Sequence, residues 1–133
     1  MGIDVAQLLA RAAMMSRACH VQNPLEHNSG ADLGATLDAL AQAGRKKITL
    51  VASPQIVTFG LWAEQLLAKS MDNEETGLIP VANEPIVSPT AYGTDRLFVY
   101  FRLKNDQNKP FDRRVAKLPR QGHPALTLTL QDR

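Results

Sequence analysis

Apolar and polar positions along this chain follow two different periods, and the changes between them mark out the elements. Between residues 4 and 20, Val5, Leu8, Leu9, Ala12, Ala13 and Met15 recur at helical spacing behind Asp4, which predicts a first helix with an acidic N-cap. Asn23-Pro24 and Asn28-Ser29-Gly30 make a connector by their turn chemistry. Leu33, Leu37 and Leu40 then share one face of a second helix, which Gly44 closes in a left-handed cap. From about 46 to 52 the residues are nearly all apolar and β-branched, the signature of a strand covered on both faces. Pro54 at an early helical position opens a third helix to about 71, with Ser53 as its cap. In that helix Ile56, Phe59, Leu61, Leu66 and Leu67 are the expected buried side, widened by Trp62 and Ala63.

A polar loop at 72–77 separates this helix from a short strand over 78–82. Pro85, Pro89 and Gly93 exclude a regular helix from the next dozen residues, which leaves an irregular, ligand-facing loop. A third strand is expected over 96–103, a weak helix from about 110 to 118 cut by Pro119, and a fourth strand over 125–130, where leucine alternates with threonine. Strands joined through helices imply an α/β fold: a three-layer sandwich with a mostly parallel sheet of about four strands, helices on both faces and right-handed crossovers. The expected organisation is one domain over 1–133, with a helical lead-in to about 44 and an α/β core over about 45–131.

Composition narrows the function classes. A net charge of +2, with basic residues scattered among acidic ones and 5% aromatics, offers neither a basic stripe nor a stacking surface, so nucleic acid is not an expected partner. No apolar run approaches the roughly 20 residues of a membrane span, and the N-terminus lacks a signal peptide's pattern. The single cysteine, Cys19, excludes an internal disulfide and fits a reducing cytoplasm. No metal-ligand spacing and no cofactor motif stands out.

The junction from Lys47 to Ser70, KITLVASPQIVTFGLWAEQLLAKS, is the most informative stretch, because ligands of open α/β sheets collect at the carboxyl ends of strands. This string resembles the phosphoglucose isomerase family, most closely the isomerase part of bifunctional transaldolase/phosphoglucose isomerases. Asp32-Leu33-Gly34-Ala35 through Ala43-Gly44-Arg45-Lys46-Lys47 precede it in the same manner. Gly77-Leu78-Ile79-Pro80-Val81-Ala82-Asn83-Glu84-Pro85 and Tyr92-Gly93-Thr94-Asp95-Arg96-Leu97-Phe98-Val99-Tyr100 follow it, so the resemblance runs unbroken over roughly residues 30–103. It implies a sugar isomerase domain acting on glucose 6-phosphate and fructose 6-phosphate.

Aldose–ketose interconversion needs a base to move a proton between adjacent carbons, an acid to open the ring, and donors for the phosphate. The resemblance places a glutamine and, four residues later, the basic glutamate one turn apart on the third helix. The glutamine is Gln65. At the glutamate position, in a Glu-Ser-x-Gly-Lys pattern, this chain has Lys69-Ser70-Met71-Asp72-Asn73, so only Ser70 survives. An exposed ammonium stays protonated well above neutral pH and cannot take up the proton. Glu64 is the one substitute in reach, and it lies about 100° around the helix from Gln65. The family's ring-opening histidine, which follows a Gly-Glu-Pro motif, has no counterpart between Asn83-Glu84-Pro85 and Asp95. His20, His27 and His123 sit elsewhere and read as surface or helix-end residues. The Ser/Thr-rich phosphate loop of the family's other sugar isomerase domain is also absent.

The expected site residues are therefore Lys69, in the place of the base, and Glu64 as a weak substitute, with Gln65, Ser70, Ser53 and Glu84 on the substrate side. Ser53 has two readings, a plain helix cap or an anion ligand at the helix N-terminus. Arg113, Arg114, Lys117 and Arg120 read as a solvated basic face, and Cys19 as a small buried hydrophobe. Together these readings describe a domain or half-site that is inactive alone and takes as partners a phosphosugar and the remainder of a longer isomerase or transaldolase/isomerase chain. The alternatives are a non-catalytic phosphosugar-binding module and an oligomerisation module, the latter making a homo-oligomer.

Overall fold

The computed structural model describes residues 2, 4–70 and 77–131. Most of the loop expected at 72–77, and Met71 to Asn73 of the catalytic pattern, lie outside the described residues. Two compact units divide the chain at Ala39/Leu40.

The first unit is helical. Helix α1 (Val5–Ala18) starts where Asp4 caps it, the carboxylate accepting the Gln7 N–H at 3.0 Å. Asn23 Nδ2 donates to the carbonyls of Arg17 and Ala18 at the other end, satisfying acceptors that a helix leaves unpaired. Asn28 then does two jobs: its Nδ2 donates to His20 O and its Oδ1 accepts from Ala31 N at the start of α2 (Ser29–Gln42). Gly44, at φ 87°, ends α2 in the left-handed turn expected of it. The apolar residues of α1 are not buried, and Val5, Leu8, Leu9 and Met15 are all exposed. Cys19 is a free thiol of intermediate burial, with its sulfur against Gly30.

The second unit carries the sheet. Its strands are β1 (Lys47–Ala52), β2 (Ile79–Ala82), β3 (Arg96–Leu103) and β4 (Ala125–Leu130), in the spatial order β2-β1-β3-β4 with every pairing parallel. Helix α3 (Val57–Ser70) links β1 to β2, and α4 (Lys109–Val115) links β3 to β4. Successive strand residues point to opposite faces. Val51 packs with Val115 and Leu118 of the α4 side, whereas Ala52 meets Gly60 of α3. The two helices thus cover opposite faces, and the fold is the α/β sandwich expected.

β1 is buried from Ile48 onward, as its apolar run required. The α4 face holds Val51, Ile86, Phe98, Tyr100, Val115 and Leu118 in one cluster, with Tyr92, Phe111 and Ala125 packed against it. Three expectations need correction. The buried residues of α3 are Gly60 and Ala63, not the large ones; Phe59, Leu61, Trp62 and Leu66 are exposed. Small side chains let the helix axis approach the sheet, where a Cβ on Gly60 would lie 3.8 Å from that of Ala52 and 3.9 Å from that of Ala82. His123 is buried, not superficial: it follows the left-handed Gly122, reaches the Pro89 carbonyl at 3.0 Å through Nε2, and lies edge-on to Tyr92 and Phe98. Finally, Ser53 sits at the cap position, but its hydroxyl does not bond the helix.

Candidate functional site

In this strand order α3 leaves β1 toward β2 while α4 leaves β3 toward β4, so the carboxyl ends of β1 and β3 form the topological switch point where a ligand crevice is expected. Here that crevice is closed by side chains. Ser53 Oγ donates to Asn108 Oδ1 at 2.6 Å and accepts the Leu103 N–H at 2.8 Å. Tyr100 donates to the same Asn108 oxygen at 3.1 Å, and Asn108 Nδ2 donates to Leu103 O at 2.6 Å. All these polar side chains are buried and satisfied, and burial pushes the Tyr100 phenol above its ordinary pKa. Beside them Asp106 accepts the Gln55 backbone N–H at 2.9 Å and the Gln55 side-chain amide at 3.2 Å. The turn that opens the third helical segment is therefore already occupied by a carboxylate of the chain itself. An anion held there by Ser53 would meet both a buried hydroxyl and a negative charge.

The open space lies one strand over. A cleft of about 380 Å³ runs from the end of β1 under the loop that follows β2 to the side of α4. Its apolar wall includes Leu50, Pro54, Val57, Ile86 and Phe111, and its polar groups are Asn83, Glu84 and Arg114. Asn83 turns the chain out of β2 with φ 57°, a conformation that asparagine tolerates better than most residues. The loop is then pinned from below, since Tyr92 Oη accepts from Val87 N and donates to Pro85 O while His123 holds Pro89. The loop is irregular, as expected, yet held.

Glu84 is the one expected site residue that reaches this cleft. Its Oε2 pairs with Arg96 and accepts from Thr49 Oγ1 at 3.3 Å, while Oε1 has no hydrogen-bond partner among the described residues. Arg96 also donates to Thr49 Oγ1 at 2.8 Å, and its guanidinium carbon lies 5.2 Å from the centre of the Tyr92 ring. Its Nε is buried without a partner. Neutralised on one side, the Glu84 carboxylate keeps one oxygen for a hydroxyl donor.

The remaining expected residues are elsewhere. Helix α3 meets the strand ends at Gly60 and runs back toward the start of β2, so Lys69, nine residues on, is carried roughly 13 Å away along the axis. Gln65, Lys69 and Ser70 are exposed, and Ser70 Oγ donates back to Leu66 O at 2.8 Å. Glu64 Oε1 accepts the Ala82 N–H at 3.2 Å, which ties the helix to the edge strand β2 and commits that carboxylate. The structure thus separates the expected residues into Glu84 in the cleft, Ser53 sealed beneath the switch point, Glu64 on β2, Gln65 exposed near the middle of α3, and Lys69 and Ser70 at its far end.

Several residues that build this region are not singled out by the sequence: Asn108, Tyr100 and Arg96 in its hydrogen-bond networks and Arg114 in the cleft wall. Asn108 preceding Lys109-Pro110 was the one local signal, since that order marks a helix start. Among the described residues no three of His, Cys, Asp and Glu converge as metal ligands, and no helix is long and apolar enough to cross a membrane. No family model matches the chain, and no solved structure matches it.

Proposed function

We propose that the chain is a sugar-phosphate isomerase-type domain, of the glucose 6-phosphate/fructose 6-phosphate class, that holds a phosphosugar without isomerising it alone. What supports the reading is the Lys47–Ser70 string, its strand-to-helix junction in a parallel sheet, and a cleft at the strand ends. The observation that carries its inactive half is Lys69. An exposed ammonium stands where the resemblance requires a carboxylate, and Glu64, the substitute, is bonded to Ala82. A base must reach the proton it removes, and none of the expected carboxylates does so from α3. The partner under this reading is a second sugar isomerase domain that supplies the missing base.

The test is a coupled dehydrogenase assay for glucose 6-phosphate formation alongside calorimetric titration with fructose 6-phosphate. Weak binding at millimolar ligand with no turnover is expected. Turnover above background, abolished in Glu64→Gln, would sink the silent half-site.

A second reading is a module that associates with another copy of itself. It is favoured by the apolar surface of α3, where Leu61, Trp62 and Leu66 are 46%, 57% and 48% exposed, together with Ile79 on the adjacent edge strand.

A further inference from the structure

The cleft does not end at Arg114. Beyond it a second depression of about 330 Å³ continues along the same loop, lined by Ile86, Val87, Ser88, Pro89, Arg114 and Lys117, so Ile86 and Arg114 belong to both. The first part is mostly apolar with carboxylate and amide groups at one end. The second is basic.

Arg114 and Lys117 are placed together by backbone geometry. The Lys117 N–H bonds to the Arg114 carbonyl at 3.2 Å, an i+3 turn, and both side chains line the same depression. Neither cation has an ion-pair partner among the described residues. The carboxylates of this region are engaged elsewhere: Glu84 with Arg96, Asp112 with Arg102 at 2.9 Å, and Asp106 with Gln55. Two adjacent cations at the rim of a cleft, with no carboxylate of the described residues upon them, make an electrostatic seat for a dianion. At the opposite end Glu84 Oε1 and the Asn83 side chain offer hydrogen bonds to hydroxyls, while Phe111, Ile86 and Pro54 present apolar walls to the C–H faces of a small ring.

We infer that Arg114 and Lys117 form a phosphate subsite, so that a small phosphate monoester lies in the cleft with its phosphoryl group on these two cations and its hydroxyl-bearing end toward Glu84. The identity of the ligand body as a sugar rests on the function proposed above; the anion subsite does not. The subsite also lies apart from the start of α3, where Asp106 already stands.

The test is a nitrogen-15 NMR titration of the full chain with inorganic phosphate, fructose, fructose 6-phosphate and gluconate, following the Arg114 side-chain Nε–H and the Asn83 and Glu84 amides. Inorganic phosphate and fructose 6-phosphate are expected to shift Arg114. Arg114→Ala and Lys117→Ala should each weaken fructose 6-phosphate roughly tenfold or more, an effect that shrinks with added salt. Arg120→Ala, outside the cleft, should leave the affinity unchanged. If fructose 6-phosphate binds equally well to both alanine variants, the subsite is wrong and the phosphosugar reading survives. If phosphate shifts Arg114 but fructose 6-phosphate binds no tighter than phosphate and leaves Asn83 and Glu84 unmoved, the subsite stands and the sugar reading falls. Gluconate binding as tightly as fructose 6-phosphate overturns the assignment to phosphate, and no shift at Arg114 with any anion overturns the subsite itself.

Discussion

The Ser53 hydroxyl is enclosed by protein and uses its proton and a lone pair on groups of the same chain, Asn108 and the Leu103 N–H. Removing it strands a buried backbone donor, whereas removing the Tyr100 hydroxyl leaves the Asn108 oxygen still served by Ser53. Ser53→Ala should therefore cost about 1–3 kcal/mol in urea unfolding and Tyr100→Phe about 0.5–1.5 kcal/mol. Equal effects, or a neutral Ser53→Ala, would show that the hydroxyl is not the keystone of this network. The sequence reading of Ser53 as cap or anion ligand was local, drawn from the proline beside it. Its actual partner is 55 positions away, and no neighbouring residue announces it. Arg114 was legible as a cation but not as a cleft residue, for the same reason: its significance comes from Ile86 and Phe111 across the groove.

Among the elements, the strands were the most legible. β1 and β3 are buried nearly throughout, and the expected limits of β3 and β4 coincide with those observed. Continuous apolar runs leave few other conformations that would bury them. Helix α3 was legible in position but not in orientation, because apolar residues surround it and periodicity alone does not choose a face. The buried residues are the small Gly60 and Ala63, and the part-exposed Phe59 beside them packs on Phe101 of β3 and on Trp62, with ring centres 5.1 and 5.4 Å away. If the exposed side of α3 binds a second copy, sedimentation at about 100 µM should give a dimer, and Trp62→Glu should raise its dissociation constant by roughly tenfold or more. A monomeric parent chain under those conditions removes the association reading.

For the molecule as a whole, acid and alkaline limits of stability follow from paired and buried groups. The Lys47 ammonium, 2.9 Å from Asp95, holds that carboxyl below its usual range by hydrogen bond and charge, and the Arg102 guanidinium does the same for Asp112. A carboxyl with a lowered folded-state pKa adds stability above its unfolded pKa, and that contribution disappears as pH falls through the folded value. Tyr100 acts in the opposite sense: its raised pKa adds stability that is complete below the unfolded value and is lost as pH climbs toward the folded one. The urea midpoint should hold a plateau and fall below about pH 4 and above about pH 10. Asp112→Asn should flatten the acid limb, and Tyr100→Phe the alkaline one. An unchanged acid limb in Asp112→Asn would show that the pair with Arg102 does not contribute.

Asp106 adds a constraint on selectivity. Tethered by the chain beside the Gln55 amide, it competes for that position at an effective concentration that dissolved metabolites do not match. A small anion approaching the start of α3 would first have to displace this internal carboxylate, so the most conventional docking point of such a sheet is unsuited to anion selection here.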